Sequence, residues 1–152
     1  MKTSIVLALI VAVIAVACGK DKFQTIPQLK LKSRNTDIVP KNGTLVLDIE
    51  FTDKEGDVND SLIVVRQRLN KKGTMKAAPS YYTIPEFPKL TKGEFEVNLA
   101  YQLHLITNFG AIGIPGQPNK FETDTLVIKI VAKDKGGNKS DTLVVDNVYV
   151  IR

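Results

Sequence analysis

Thr44-Leu45-Val46-Leu47-Asp48-Ile49-Glu50-Phe51-Thr52 runs straight into the turn Asp53-Lys54-Glu55-Gly56-Asp57. Leu45, Leu47, Ile49 and Phe51 fall on one face of an extended chain, and Asp48, Glu50 and Thr52 on the other. Period-two alternation of this kind marks a half-buried antiparallel strand. The same pattern returns without a gap at Thr125-Leu126-Val127-Ile128-Lys129-Ile130-Val131-Ala132-Lys133, followed by Asp134-Lys135-Gly136-Gly137-Asn138. Two strands of the same design, each ending in an Asp-Lys-x-Gly-Asp/Asn turn, place the chain among sheet proteins.

Outward from that pair the chain continues in strands. Leu29-Lys30-Leu31-Lys32 alternates, and Asn35 to Pro40 reads as a kinked continuation along a sheet edge. Ser61 to Leu69, Tyr81 to Ile84, Phe95 to Leu99, Tyr101 to Ile106 and Thr142 to Ile151 complete the set. All 7 prolines fall outside strand centres, as a sheet requires. Beyond the N-terminus no segment carries the i, i+3, i+4, i+7 spacing of an amphipathic helix. The reading is an all-β fold, an immunoglobulin-like antiparallel β-sandwich of about seven to nine strands. In that arrangement Thr44–Thr52 is the second strand and Thr125–Lys133 the sixth. Their turns, Asp53–Asp60 and Asp134–Asp141, then meet at one pole of the sandwich.

The N-terminus states an address. Met1-Lys2-Thr3-Ser4 carries one positive charge, and Ile5 to Ala17 is an unbroken apolar run. That run falls short of the roughly 20 residues needed to span a bilayer, so it reads as a signal peptide over residues 1–17. It ends at Ala15-Val16-Ala17-Cys18, before the 1 cysteine of the chain. A lone cysteine in an exported chain has no internal partner, and its position here resembles the lipobox of bacterial lipoproteins. The resemblance implies a diacylated Cys18, carrying palmitate-type chains and holding the protein in the membrane. Ala15-Val16-Ala17 would also suit ordinary signal peptidase, which leaves plain secretion as the alternative. Residues 18–27 are polar and read as a tether, and residues 28–152 as the sandwich domain.

Phe51-Thr52-Asp53-x-x-Gly56-Asp57 and Ala132-Lys133-Asp134-Lys135-x-Gly137-Asn138-Lys139-Ser140, taken with the lipobox, resemble a family of uncharacterised Bacteroidetes lipoproteins. Lys54 and Glu55 stand where that family tends to Gly and Asp. The resemblance implies a single immunoglobulin-like domain, lipid-anchored in the cell envelope at the outer membrane. The family has no agreed activity that the resemblance could carry over.

Composition narrows the chemistry. The formal net charge is +5, with 21 Lys+Arg against 16 Asp+Glu. The basic residues are spread along the chain, so a nucleic-acid partner is not expected. With 1 His, 1 Cys and no Trp, the usual catalytic and zinc motifs are missing, and His104 has no partner pattern around it. No resident cofactor is expected beyond the ion discussed next. Asp53, Glu55, Asp57, Asp60, Asp134 and Asn138 supply hard oxygen ligands of the kind calcium takes. Their spacing is not that of an EF-hand, since Gly56 falls at the fourth place and Val64 where the bidentate Glu belongs. Solvated turn chemistry is the competing account. On the Asn108–Lys120 loop, Phe109, Ile112 and Ile114 mark a site for a protein or glycan partner, or else a lid over the open end of the core. The function expected is a non-catalytic binding or structural role in the envelope. The alternative is an accessory glycan-binding or hydrolytic protein, with stacking through Tyr81, Tyr82 or Phe87.

Overall fold

The computed structural model describes residues 24–152. The expected signal peptide, Cys18 and the first part of the tether lie outside the described residues. Nine strands run through the remainder: β1 (Gln28–Arg34), β2 (Ile38–Val39), β3 (Thr44–Thr52), β4 (Ser61–Arg68), β5 (Met75–Lys76), β6 (Ser80–Thr83), β7 (Lys92–Ala100), β8 (Asp124–Lys133) and β9 (Leu143–Val150). One sheet is ordered β1-β3-β7. The other is ordered β2-β9-β8-β4-β5, with β6 also paired to β4. All pairings are antiparallel except the short β2–β9 contact. This is an all-β sandwich with immunoglobulin-like strand order. The two copies of the repeat, β3 and β8, are the central strands of opposite sheets.

Alternation decides which side chains fill the space between the sheets. Leu45, Leu47 and Ile49 of β3 are fully buried, with Phe51 at 2% exposure. Leu126, Ile128, Ile130 and Ala132 meet them from β8, each fully buried. Burying side chains of that size contributes about 1.5–3 kcal/mol each, so the two repeats form the spine of the core. The outward faces carry the charges, with Lys32 paired to Glu94 at 2.6 Å and Lys92 to Glu50 at 3.0 Å.

The kink expected over Asn35–Pro40 is a change of sheet. Beyond Arg34 the chain leaves β3 and joins β9 as β2. Asn35 fills the vacated edge. Its amide nitrogen donates to the Thr44 carbonyl at 3.0 Å, and its side-chain oxygen accepts the Val46 N–H at 2.9 Å.

The first strand opens at Gln28, and the end of the expected tether lies against the body: the Lys54 N–H donates to the Gln24 carbonyl at 3.1 Å, and Pro27 is buried. One expectation needs correction. Tyr101–Leu105 is a single π-helical turn rather than a strand. Arg66 donates to the carbonyls of His104 and Thr107, and the Thr107 hydroxyl donates to those of Gln102 and Leu103. These bonds hold a wide turn that buries Tyr101 and Leu105. Among the described residues no helix is long and apolar enough to cross a membrane.

Candidate functional site

Strand directions place the turns after β3 and β8 at the same pole, and the Lys135 N–H donates to the Asp57 carbonyl at 3.2 Å. The two turns share a conformation as well as a sequence. Asp53 Oδ2 accepts the N–H groups of Gly56 at 2.8 Å and Asp57 at 3.2 Å. Asp134 Oδ1 accepts the Asn138 N–H at 2.7 Å. The glycine three places after each Asp has positive φ, +70° at Gly56 and +90° at Gly137, which glycine adopts without steric cost. Each Asp thus folds its own turn, which keeps both carboxylates fixed and covered. Asp53 is fully buried, and Asp134 is 1% exposed.

The juxtaposition brings one carboxylate oxygen from each of Asp53, Asp57 and Asp134 within 4.8 Å of one another. Three of the six residues expected to bind an ion therefore converge, Asn138 is bonded to one of them, and two stand apart. Glu55 points to solvent. Asp60 turns toward β8, where it accepts from the Ser61 hydroxyl at 2.9 Å and pairs with Lys133 at 3.3 Å. Those two contacts, the Ser61 bond first, hold its carboxyl below the usual range. Asn138 spends its amide nitrogen on Asp134 Oδ2, at 2.9 Å.

No ion pair among the described residues involves Asp53, Asp57 or Asp134. Lys135, the obvious candidate, pairs with Glu86 at 3.1 Å. Two unit charges 4.8 Å apart repel by about 3 kcal/mol at an effective dielectric of about 20. Burial, then the charges of Asp134 and Asp53, pushes the Asp57 carboxyl above its ordinary value. The free oxygens Asp53 Oδ1, Asp57 Oδ1 and Asn59 Oδ1 are buried without a hydrogen-bond donor. A group of this kind can do one of two things: share a proton or hold a cation.

The opposite pole is built differently. Arg66 and Arg68 alternate with Leu62 and Val64 on the buried face of β4. Their guanidiniums lie 5.7 and 5.2 Å from the centre of the Phe109 ring. Arg68 also donates to the carbonyls of Gly73 and Gly110, both at 2.7 Å, and pairs with buried Asp124 at 3.3 Å. Arg152 reaches the other oxygen of Asp124 at 3.1 Å. Phe109 is 4% exposed and belongs to the core, which corrects its reading as a partner-binding residue: two cationic side chains fix its ring under the loop. Ile112 and Ile114 are half-buried on a small hairpin closed by the Ile114 N–H bond to the Lys120 carbonyl, 3.0 Å. Beside them Lys41, Gln102, Phe121 and Arg152 line a shallow open cleft. Sequence reading missed Arg66 and Arg68, although period two alone assigns them to the face of Leu62 and Val64.

His104 is held in place too. Its Nδ1 accepts the Ala100 N–H at 2.9 Å, and its ring meets Tyr82 edge-on at 5.7 Å. Burial, then the nearby Arg66 charge, lowers its pKa.

No family model and no curated protein matches this chain. Among solved structures, Spo0M, a sporulation control protein from Bacillus subtilis, is similar at 11% identity and a TM-score of 0.39. The match covers 84% of this chain and 50% of Spo0M, so this chain spans about half the length of that protein.

Proposed function

We propose that the chain is a lipid-anchored bacterial envelope protein of the outer membrane, like the Bacteroidetes lipoproteins it resembles, with a binding or structural role and no catalysis. The observation that carries this reading is the lone Cys18 at the end of the apolar run Ile5–Ala17. Only Gly19 to Phe23 separate Cys18 from Gln24, whose carbonyl already bonds the sandwich. Five residues reach at most about 18 Å. Acyl chains on Cys18 would hold the acidic pole against the membrane and present the arginine-lined pole outward.

A protein or glycan partner would meet the domain at that outward pole. Phe121, 43% exposed, with half-buried Ile112 and Ile114, forms its apolar part. The test of the reading is fractionation of cells expressing the wild type and Cys18→Ala. Two acyl chains hold a protein firmly, at about 0.8 kcal/mol per buried CH₂, so the wild type sediments with membranes and the variant does not. A Cys18→Ala protein that stays in the membrane fraction and still carries acyl mass refutes it.

A further inference from the structure

We infer that Asp53, Asp57 and Asp134 form a divalent-cation site of the calcium class that clamps the turn after β3 to the turn after β8. Oxygens around one calcium lie at 2.3–2.6 Å from the ion, so any two are at most about 5 Å apart. The three carboxylate oxygens satisfy that limit, all lying within 4.8 Å of one another. Acidic clusters are common on protein surfaces without an ion. This one differs in how it is built.

Asp53 is wholly buried, and only one of its two oxygens is used by the turn. Its Oδ1 is buried and has no donor, and one oxygen of the same carboxylate lies within 4.8 Å of oxygens of Asp57 and Asp134. Buried polar atoms in native proteins are almost always partnered. Asn59, 9% exposed in the same loop, adds an amide oxygen with no donor. Amide and carboxylate oxygens are the ligand types calcium prefers, and a soft metal would find no sulfur or imidazole here.

The repeat indicates which residue makes the difference. The turn after β8 has Asn138 where the turn after β3 has Asp57, and Asn138 is consumed locally by Asp134. The Asp57 N–H makes the matching bond to Asp53, at 3.2 Å, but the carboxylate oxygen Oδ1 of Asp57 is buried with no donor. Its carboxylate stands between the Asp of its own turn and the Asp of the other. The bound ion replaces three-way repulsion with three attractions and reinforces the join that the Lys135–Asp57 backbone bond makes between the two turns. It also steadies Lys54, which holds Gln24 at the start of the body. This inference rests on the loops alone and does not depend on acylation.

The experiment uses the full-length protein purified in mild detergent and stripped with EDTA. It is melted in EDTA, in 5 mM CaCl₂, in 5 mM MgCl₂ and in NaCl of matched ionic strength. Extracellular-type sites have Kd values of about 10⁻⁴–10⁻³ M, so calcium should raise Tm by about 3–8 °C. Asp57→Asn should raise Tm in EDTA by removing a like charge, and should lose the calcium response. Asp60→Asn, outside the cluster, should keep it. Calorimetric titration with CaCl₂ should give a single site in the wild type and none in Asp57→Asn or Asp53→Asn. Equal melting in calcium and EDTA overturns the inference and leaves a proton shared between Asp57 and Asp53 as the occupant. An equal rise in NaCl also overturns it, since screening alone would then account for the effect. So does a calcium response that survives Asp57→Asn.

Discussion

Gly93 sits opposite Phe51 in the β3–β7 ladder, and the contact between them gives a quantitative test of the core. A Cβ built on Gly93 would lie 2.6 Å from Phe51 Cζ and 2.8 Å from Cε1. The Phe51 ring thus occupies the space that any side chain at position 93 would need. That ring also packs against Phe87 and Phe95, with centroids 5.5 and 5.7 Å away. Phe51→Ala should cost about 3–5 kcal/mol from lost burial and the cavity, at the upper end because each aromatic pair adds about 0.5–1.5 kcal/mol. Gly93→Ala forces the ring off its position and should cost about 1–3 kcal/mol. Combining Gly93→Ala with Phe51→Leu should relieve part of that overpacking. The double variant is then more stable than the sum of the two singles by about 1 kcal/mol, beyond the 0.3–0.5 kcal/mol scatter of independent sites. Urea unfolding of the four proteins measures this directly. Additive effects across the cycle would show that Gly93 is not the steric complement of Phe51.

Three further outcomes are expected. Gly56→Ala should cost about 1–3 kcal/mol, because φ there is +70° and the added Cβ would meet the Leu90 nitrogen at 2.9 Å; a urea midpoint equal to wild type contradicts the turn geometry. Asp57 has a raised carboxyl pKa, so its charge opposes folding above that pKa and the penalty fades as pH falls toward its ordinary value of 3.8. The stabilisation by Asp57→Asn in EDTA should therefore be present at pH 7 and shrink near pH 4, and a gain that does not change with pH refutes the assignment. His104 has a lowered pKa, so the neutral ring is favoured in the folded state. Stability should fall as pH drops through the unfolded value of about 6.5, and His104→Asn should flatten that dependence in melts between pH 7.5 and 5.5.

The central strands were legible because alternation is a direct imprint of a two-sided environment. Leu45 to Phe51 and Leu126 to Ala132 place an apolar residue at every second position, and those positions proved to be buried. The shared pole was legible through the repeat. The membership of the cluster was not. A turn residue's direction is set by local dihedrals and by neighbours far away in sequence. Asp60 is drawn to Lys133, and Glu55 projects past the turn; neither fact has a signature within the turn itself. Tyr101, Leu103 and Leu105 alternate as in a strand, and only the exposure of Leu103 betrays the wide turn. Its conformation is imposed by Arg66, which lies on a different strand. Phe109 was left between partner site and lid for a related reason, and its burial decides for the lid. An aromatic on a Gly-rich loop is ambiguous until the two arginines beneath it are known to face inward.

Among the described residues β7 has β3 on one side and no strand on the other. Its second row of backbone donors and acceptors is therefore open to any extended chain that comes alongside, the geometry from which unwanted aggregation starts. Along this edge Glu94, Glu96 and Asn98 alternate on the exposed face, and Lys92 precedes them. A second copy pairing antiparallel here would bring carboxylate against carboxylate, and like charges directly opposed weaken a ladder. The acidic alternation therefore guards the open side of the three-stranded sheet. Replacing Glu94 and Glu96 with valine would leave the core untouched and convert the edge into a template for self-association.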